Sequence, residues 1–140
     1  MASRESGVVD AIRRRIANVW PTSVTWKMHG SIFMEAGIPD ILCCVRGRLI
    51  FLEVKHRKPG ESAEHAYGRT SVEQVRQIDR IRAAGGSACT VLDADEAEEA
   101  VREALAGSVL LDRHPRAAQV VLDALHGSDG GDLDGTSSAT

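Results

Sequence analysis

The sequence has 140 residues, of which 43% are hydrophobic and 26% charged, and a formal net charge of −3. That length fits a single domain and is enough to bury a core without disulfide or metal staples. No apolar run approaches the roughly 20 residues needed to cross a bilayer, and no apolar segment of the secretory type follows Met1–Glu5. The expectation is an intracellular, cytoplasmic protein that makes no use of membranes. Cys43, Cys44 and Cys89 fall at irregular spacing in apolar runs. They read as buried free thiols in a reducing compartment, not as a disulfide framework or a zinc site.

The net charge hides a polarity. Met1 to Arg82 carries fourteen Lys or Arg against nine Asp or Glu, a net of +5, while Ala83 to Thr140 carries three against eleven, a net of −8. A basic half points to an anionic partner, although charge also segregates along chains that have none.

From Glu5 to Val19, apolar Val8, Val9, Ile12, Ile16 and Val19 fall at helical spacing, with Arg13, Arg14 and Arg15 largely off that stripe. Ser3 or Ser6 is a candidate cap, and Pro21 ends the helix. Val24–Met28 is β-branched and aromatic and reads as a short strand, broken by His29-Gly30-Ser31. The stretch from Ile38 to Lys55 holds two apolar runs separated by Arg46-Gly47, the pattern of a β-hairpin. Both faces of both strands are mostly apolar, which predicts a central hairpin covered on two sides. His56 to Arg69 is polar and charged and reads as a loop. Thr70-Ser71 caps a helix carrying Val72, Val75, Ile78 and Ile81, which Gly85-Gly86 ends. Ser87–Leu92 is a strand and Ala94–Leu105 an Ala- and Glu-rich helix. Gly107–Leu111 is ambiguous, and Pro115–Leu125 reads as a further short helix. From Gly127 the composition is that of a disordered tail. The order of elements describes a compact α/β domain with a helical C-terminal extension. Trp20 and Trp26 read as core residues.

The turn at Arg46-Gly47 fixes a register. Val45 faces Arg48 and Cys44 faces Leu49, so the same count sets Asp40 opposite Glu53. Their Cβ atoms are then about 4.5–5.5 Å apart, and Lys55, two residues beyond Glu53, shares their face. Two like charges at that distance repel unless something neutralises them. A divalent cation does so, with two carboxylates, waters and a substrate phosphate completing its shell. The structural alternative is a turn Asp and a Glu–Lys pair at a strand end. No zinc spacing, Gly-rich phosphate loop or nucleophile elbow competes with this constellation.

Gly37-Ile38-Pro39-Asp40 followed by Phe51-Leu52-Glu53-Val54-Lys55 resembles the core of the PD-(D/E)xK nucleases, and its details resemble the VRR-NUC branch. Ser71-Val72-Glu73-Gln74, Gly85-Gly86 and Val91-Leu92-Asp93 before an acidic helix fit the continuation of that pattern. The resemblance spans about Glu5 to Leu105. It implies a restriction-endonuclease-like fold, with a central mixed β-sheet flanked by helices, over residues 1–106. Residues 107–126 are then a helical extension available for dimer contacts, and 127–140 a tail. It implies that Asp40, Glu53 and the Val54 backbone carbonyl hold Mg²⁺, with Mn²⁺ able to substitute. It further implies that Lys55 activates or positions the attacking water, that Gln74 is the active-site glutamine of the following helix, and that Glu5 completes the metal shell. The loop 56–69 is longer than the usual connection of that family. Arg13, Arg14, Arg15, Arg57, Lys58 and Arg69 are candidate DNA phosphate contacts, and His56 and His65 are loop histidines. The implied activity is metal-dependent endonucleolytic cleavage of DNA, branched or Holliday-junction DNA above all, by a homodimer. The alternatives are a non-catalytic nucleic-acid-binding module that retains the fold, and a nuclease acting on duplex ends or RNA.

Overall fold

The structure, a computed structural model, describes residues 4–28, 35–108 and 110, with only the backbone of residues 4–6. The expected cap at Ser3, the break at residues 29–31, the helix at 115–125 and the tail from 127 lie outside the described residues, as does nearly all of the proposed extension.

Helix α1 (Arg4–Val19) leads into strand β1 (Val24–Lys27), and the hairpin follows as β2 (Ile41–Val45) and β3 (Arg48–Val54). Then come the short helix α2 (Ala63–Tyr67), helix α3 (Val72–Ala83), strand β4 (Ser87–Val91) and helix α4 (Ala94–Leu105). The four strands form one mixed sheet in the order β1-β2-β3-β4. The β1–β2 and β2–β3 pairs are antiparallel, while β4 runs parallel to β3 after a crossover through α2 and α3. Ser6 lies inside α1 and does not cap it.

The hairpin closes through Arg46 at φ 49° and Gly47 at φ 78°. Two consecutive positive φ values match the right-handed twist of the flanking strands. The resulting register pairs Val45 with Arg48, Cys44 with Leu49 and Ile41 with Leu52, as the sequence count predicts.

One face of the sheet is buried across β2, β3 and β4. Ile41, Cys43, Val45, Ile50, Leu52, Val54, Cys89 and Val91 meet Val9, Ile12, Ile16 and Trp20 of the α1 region and Ala97, Ala100, Val101 and Ala104 of α4. The alanines of α4 let that helix lie close to both the sheet and α1. Arg15 pairs with Asp95 at 2.8 Å and Glu98 at 3.5 Å, and the Arg102 guanidinium stacks 5.3 Å from the Trp20 ring centre, so polar contacts flank the α1–α4 seam. Burial pushes the Cys43 thiol up to about 12, which keeps it protonated and unreactive at neutral pH. Cys44, on the other face, is only half-buried.

That other face corrects the expectation of a hairpin covered on both sides. Val75 and Ile78 of α3 are buried beside Ala88 of β4, but Val24, Trp26 and Leu49 stay about half exposed. Trp26 is 46% exposed and is not a core residue. The covering helices reach the β4 side of this face, where they bring Gln74 to the end of β3. The loop reading of 56–69 is corrected too, because Ser62 caps a helical turn there by accepting from the His65 N–H.

Candidate active site

Asp40 stands one residue before β2, just beyond Ile41–Leu52, the last pair of the hairpin ladder. It is held from two sides. Its carbonyl accepts the Met28 N–H at 2.7 Å, prolonging the β1–β2 ladder, and its Oδ2 accepts the Val54 N–H at 2.8 Å. The Asp40 carboxylate is thereby fixed to the backbone of the strand that carries Glu53.

Glu53 is 1% exposed, a rare condition for a carboxylate unless it is partnered. Gln74 Nε2 donates to its Oε1 at 2.7 Å, and Lys55 Nζ lies 3.6 Å from the same oxygen. The Lys55 side chain is 13% exposed, so its charge acts at short range in a partly dehydrated setting. The alternation of β3 thus delivers Glu53 and Lys55 to the face that Gln74 reaches from α3.

The orientation of Gln74 follows from how its helix starts. Ser71 Oγ accepts the Gln74 N–H at 3.2 Å, and Gln74 Oε1 accepts the Ser71 N–H at 2.8 Å, a reciprocal capping box. With its amide oxygen engaged at the cap, the amide nitrogen faces Glu53. The Gly37 loop packs directly on this helix start, where a Cβ on Gly37 would lie 2.3 Å from the Glu73 carbonyl carbon. The Gly-Ile-Pro-Asp segment therefore positions both Asp40 and the helix that presents Gln74.

The donor chemistry suits a hard divalent cation: two carboxylates and a neighbouring main-chain carbonyl, with a lysine alongside. Among the described residues no group of three or more His, Cys, Asp or Glu side chains gathers around a common point. A cation held by Asp40 and Glu53 would take its remaining ligands from the Val54 carbonyl, water and substrate. Glu5 lies in the first turn of α1, but its side chain is outside the described residues.

The segment after Lys55 is organised by a residue that sequence reasoning does not single out. The Glu61 carboxylate accepts from the Lys58 N–H at 3.0 Å and from Arg69 Nη1 at 2.7 Å, and it meets His65 Nδ1 at 2.5 Å. Arg69 Nη2 donates to the His56 carbonyl, and Arg57 Nε donates to the Glu61 carbonyl at 2.6 Å. Two of the proposed phosphate contacts, Arg57 and Arg69, thus also hold the loop together. Lys58 is exposed. A Glu four residues before a His is the only trace of this clasp in the sequence. Tyr67 anchors the same segment to the sheet, donating to the Thr90 carbonyl at 3.0 Å and reaching Glu96 Oε1 at 2.5 Å.

The Lys58 N–H, aided by His65 and the Arg69 charge and opposed by burial, lowers the Glu61 carboxyl from 4.5 to about 2. A lowered folded value means the clasp stabilises the fold in full above about pH 4.5 and loses that contribution as pH falls toward 2. The stability difference between the parent protein and Glu61→Gln is expected to shrink over that window, as read by denaturant unfolding at several pH values. A difference that does not change with pH would contradict the clasp.

The sequence matches no family model and no curated protein. Among solved structures it is similar to a VRR-NUC domain, with a TM-score of 0.54 and 22% identity over 72% of this chain and 97% of that one. At that level of identity the likeness establishes the fold. The mixed four-stranded sheet flanked by helices is the restriction-endonuclease-like α/β arrangement.

Proposed function

We propose that this chain, which has the fold of a VRR-NUC domain, is a Mg²⁺-dependent nuclease that hydrolyses phosphodiester bonds in DNA. The observation that carries the reading is Glu53: a carboxylate 1% exposed, tied to Gln74 and Lys55 at the sheet end that also holds Asp40. A buried acid beside a lysine and opposite a second acid is an arrangement that stability alone does not favour. When bound, a divalent cation supplies a nucleophilic water near neutral pH and shields the phosphoryl oxygens. Asp40 and Glu53 hold that position, Gln74 fixes the rotamer of Glu53, and Lys55 orients the water and offsets charge developing on the phosphate. The sheet end would be completed as a metal shell by Glu5.

The substrate read most readily is branched DNA such as a Holliday junction, and symmetric cutting of two strands requires two sites, hence a homodimer. A second reading is a nucleic-acid-binding module that no longer cuts. A cleavage assay on linear, flap and four-way-junction DNA, with a duplex RNA arm, separates these. The expected result is cutting in Mg²⁺ or Mn²⁺, none in EDTA, and loss of cutting in Lys55→Ala. Binding without cutting in every metal, or Lys55→Ala at the parent rate, would overturn the proposal.

A further inference from the structure

Among the described residues, Val24, Trp26 and Leu49 are large apolar side chains left about half exposed. The register puts all three on one face of the sheet. Val24 pairs with Cys44 and Cys44 with Leu49, while Trp26 pairs with Leu42 and Leu42 with Phe51. Cys44, Leu42 and Phe51 are themselves only half-buried, so two adjacent apolar rows run open to solvent across β1, β2 and β3. Phe51 lies two residues before Glu53 on β3 and shares its face. The apolar rows therefore adjoin the candidate active site and end where its polar groups begin.

Trp26 is two strands across from Glu53 but near Asp40. The Met28 N–H donates to the Asp40 carbonyl, which carries the β1–β2 ladder one step past the Lys27–Ile41 pair. Asp40 is thus the diagonal neighbour of Trp26, at a Cα separation of about 7–8 Å that an aromatic side chain can span. Arg13 and Arg14 lie elsewhere. Arg13 Nε donates to Thr25 Oγ1 at 3.0 Å, and the cleft that both arginines line with Thr25 is on the opposite face.

Size and the path of the chain narrow what these rows can receive. Half-exposed side chains of these sizes present on the order of 300 Å² of apolar surface, comparable to the largest patch on an ordinary monomer. Each partner in a stable complex buries about 800 Å², so the patch is small for a second copy of this chain. Leu110, the last described residue, is buried with α1 and α4 against the other face, so residues 111–140 start from the opposite side. A nucleotide matches the division of the face, with a charged phosphate for the polar end and a flat aromatic base for the apolar rows. In an intact duplex that base is stacked on its neighbours; an unpaired base is free to stack on a side chain.

We propose that Trp26 and the apolar rows beside it form a stacking platform for an unpaired base of a DNA strand lying at the candidate active site. DNA with unpaired nucleotides is then held more tightly than perfect duplex. The nuclease reading above supplies what the strand is there to undergo, and the contact itself does not depend on it. Every base has an aromatic face, so the platform carries little sequence preference.

The test is equilibrium binding of the full chain in EDTA, where no cleavage competes. Three DNAs are compared: a perfect duplex, the same duplex with a gap leaving about six nucleotides unpaired, and that gapped DNA with the unpaired nucleotides made abasic. The parent is expected to bind the gapped DNA about tenfold more tightly than the duplex, and to lose that preference on the abasic form. Trp26→Ala should lose the preference with its affinity for duplex unchanged, and Trp26→Tyr should keep most of it. No phosphate contact is removed, so both variants should keep the parent slope of log K against log salt. Trp20 is 5% exposed and is the other of the two tryptophans, so fluorescence quenching by gapped but not abasic DNA reports on Trp26. Both variants are expected to keep the parent melting temperature, and the abasic comparison uses the parent alone. The proposal is overturned if abasic and normal gapped DNA bind equally, or if Trp26→Ala keeps the preference. It is also overturned if Trp26→Ala changes only the mass in solution, which assigns the face to a second copy, or only the melting temperature, which assigns it to a segment of the chain. A protein with this base and Trp26 dependence that cuts no DNA in Mg²⁺ or Mn²⁺ refutes the nuclease reading and leaves the platform standing. One that cuts DNA but binds the abasic form as tightly does the reverse.

Discussion

Gly37→Ala is expected to destabilise the protein by about 2–5 kcal/mol, in denaturant unfolding at neutral pH. Two effects add. Gly37 has φ +84°, a backbone conformation that adds roughly 1–2 kcal/mol for a residue with a Cβ. The new methyl would also lie 2.3 Å from the Glu73 carbonyl carbon and oxygen and 2.7 Å from the Gln74 nitrogen. Those are backbone atoms at the start of α3, unable to swing aside as a side chain would, and overpacking of that kind adds about 1–3 kcal/mol. The nearest relief is to push α3 away from the Gly37 loop. That would unseat Gln74 from Glu53, so loss of site geometry should accompany loss of stability. Gly47→Ala is the matched control. Its φ is +78° but a Cβ there meets nothing within 4 Å, so only the conformational part, roughly 1–2 kcal/mol, is expected. Equal effects at the two glycines would mean that the close approach to α3 does not constrain the fold.

The hairpin shows why so much of the site is legible in the sequence. A two-residue turn fixes a register, and a register of period two fixes which residues share a face. Asp40, Glu53 and Lys55 could therefore be brought together by counting outward from Gly47. Ser71 and Gln74 are legible for a similar reason, since a capping box is a local pattern with a local cause.

Features that depend on contacts distant in sequence were hidden. Apolar alternation cannot tell how far a covering helix extends, so Trp26 read as core although α3 reaches only the β4 side of its face. The clasp at Glu61 joins residues up to eight positions apart in a segment with no periodicity, and polar composition there reads as a loop whatever the side chains do. The dual use of Gln74, whose oxygen serves the cap while its nitrogen serves Glu53, requires knowing that α3 starts beside β3. The charge polarity of the chain is informative in the same limited way: it locates the basic half, but only the structure shows that, among the described residues, Arg15 is ion-paired while Arg13 and Arg14 are not.

The double role of Gln74 makes its two simplest substitutions diverge. Gln74→Glu preserves the capping box, because a carboxylate at that helix position accepts the Ser71 N–H as the amide oxygen does. On the other side it places an oxygen where an N–H stood, 2.7 Å from Glu53 Oε1. Two carboxylates that close cannot both stay ionised, so the folded variant is expected to take up a proton. A carboxyl whose folded value is raised stabilises the fold below its unfolded value and loses that contribution as pH rises. The stability deficit of Gln74→Glu should therefore narrow as pH is lowered. Protonation would also weaken Glu53 as a ligand of the proposed cation, and displacement of a ligand's hydrogen-bond partner lowers metal affinity or activity by about 10- to 100-fold. The expected loss for Gln74→Glu is at the upper end, about 100-fold, in Mg²⁺ affinity by calorimetry and in cleavage. Gln74→Ala removes the amide half of the capping box and the Glu53 contact, keeps the bond from the backbone N–H to Ser71 Oγ, and adds no repulsion. It should be less stable than the parent by about 1 kcal/mol and should retain more metal affinity than Gln74→Glu. If Gln74 served the helix alone, the order would reverse: Gln74→Glu would be silent and Gln74→Ala the damaging change.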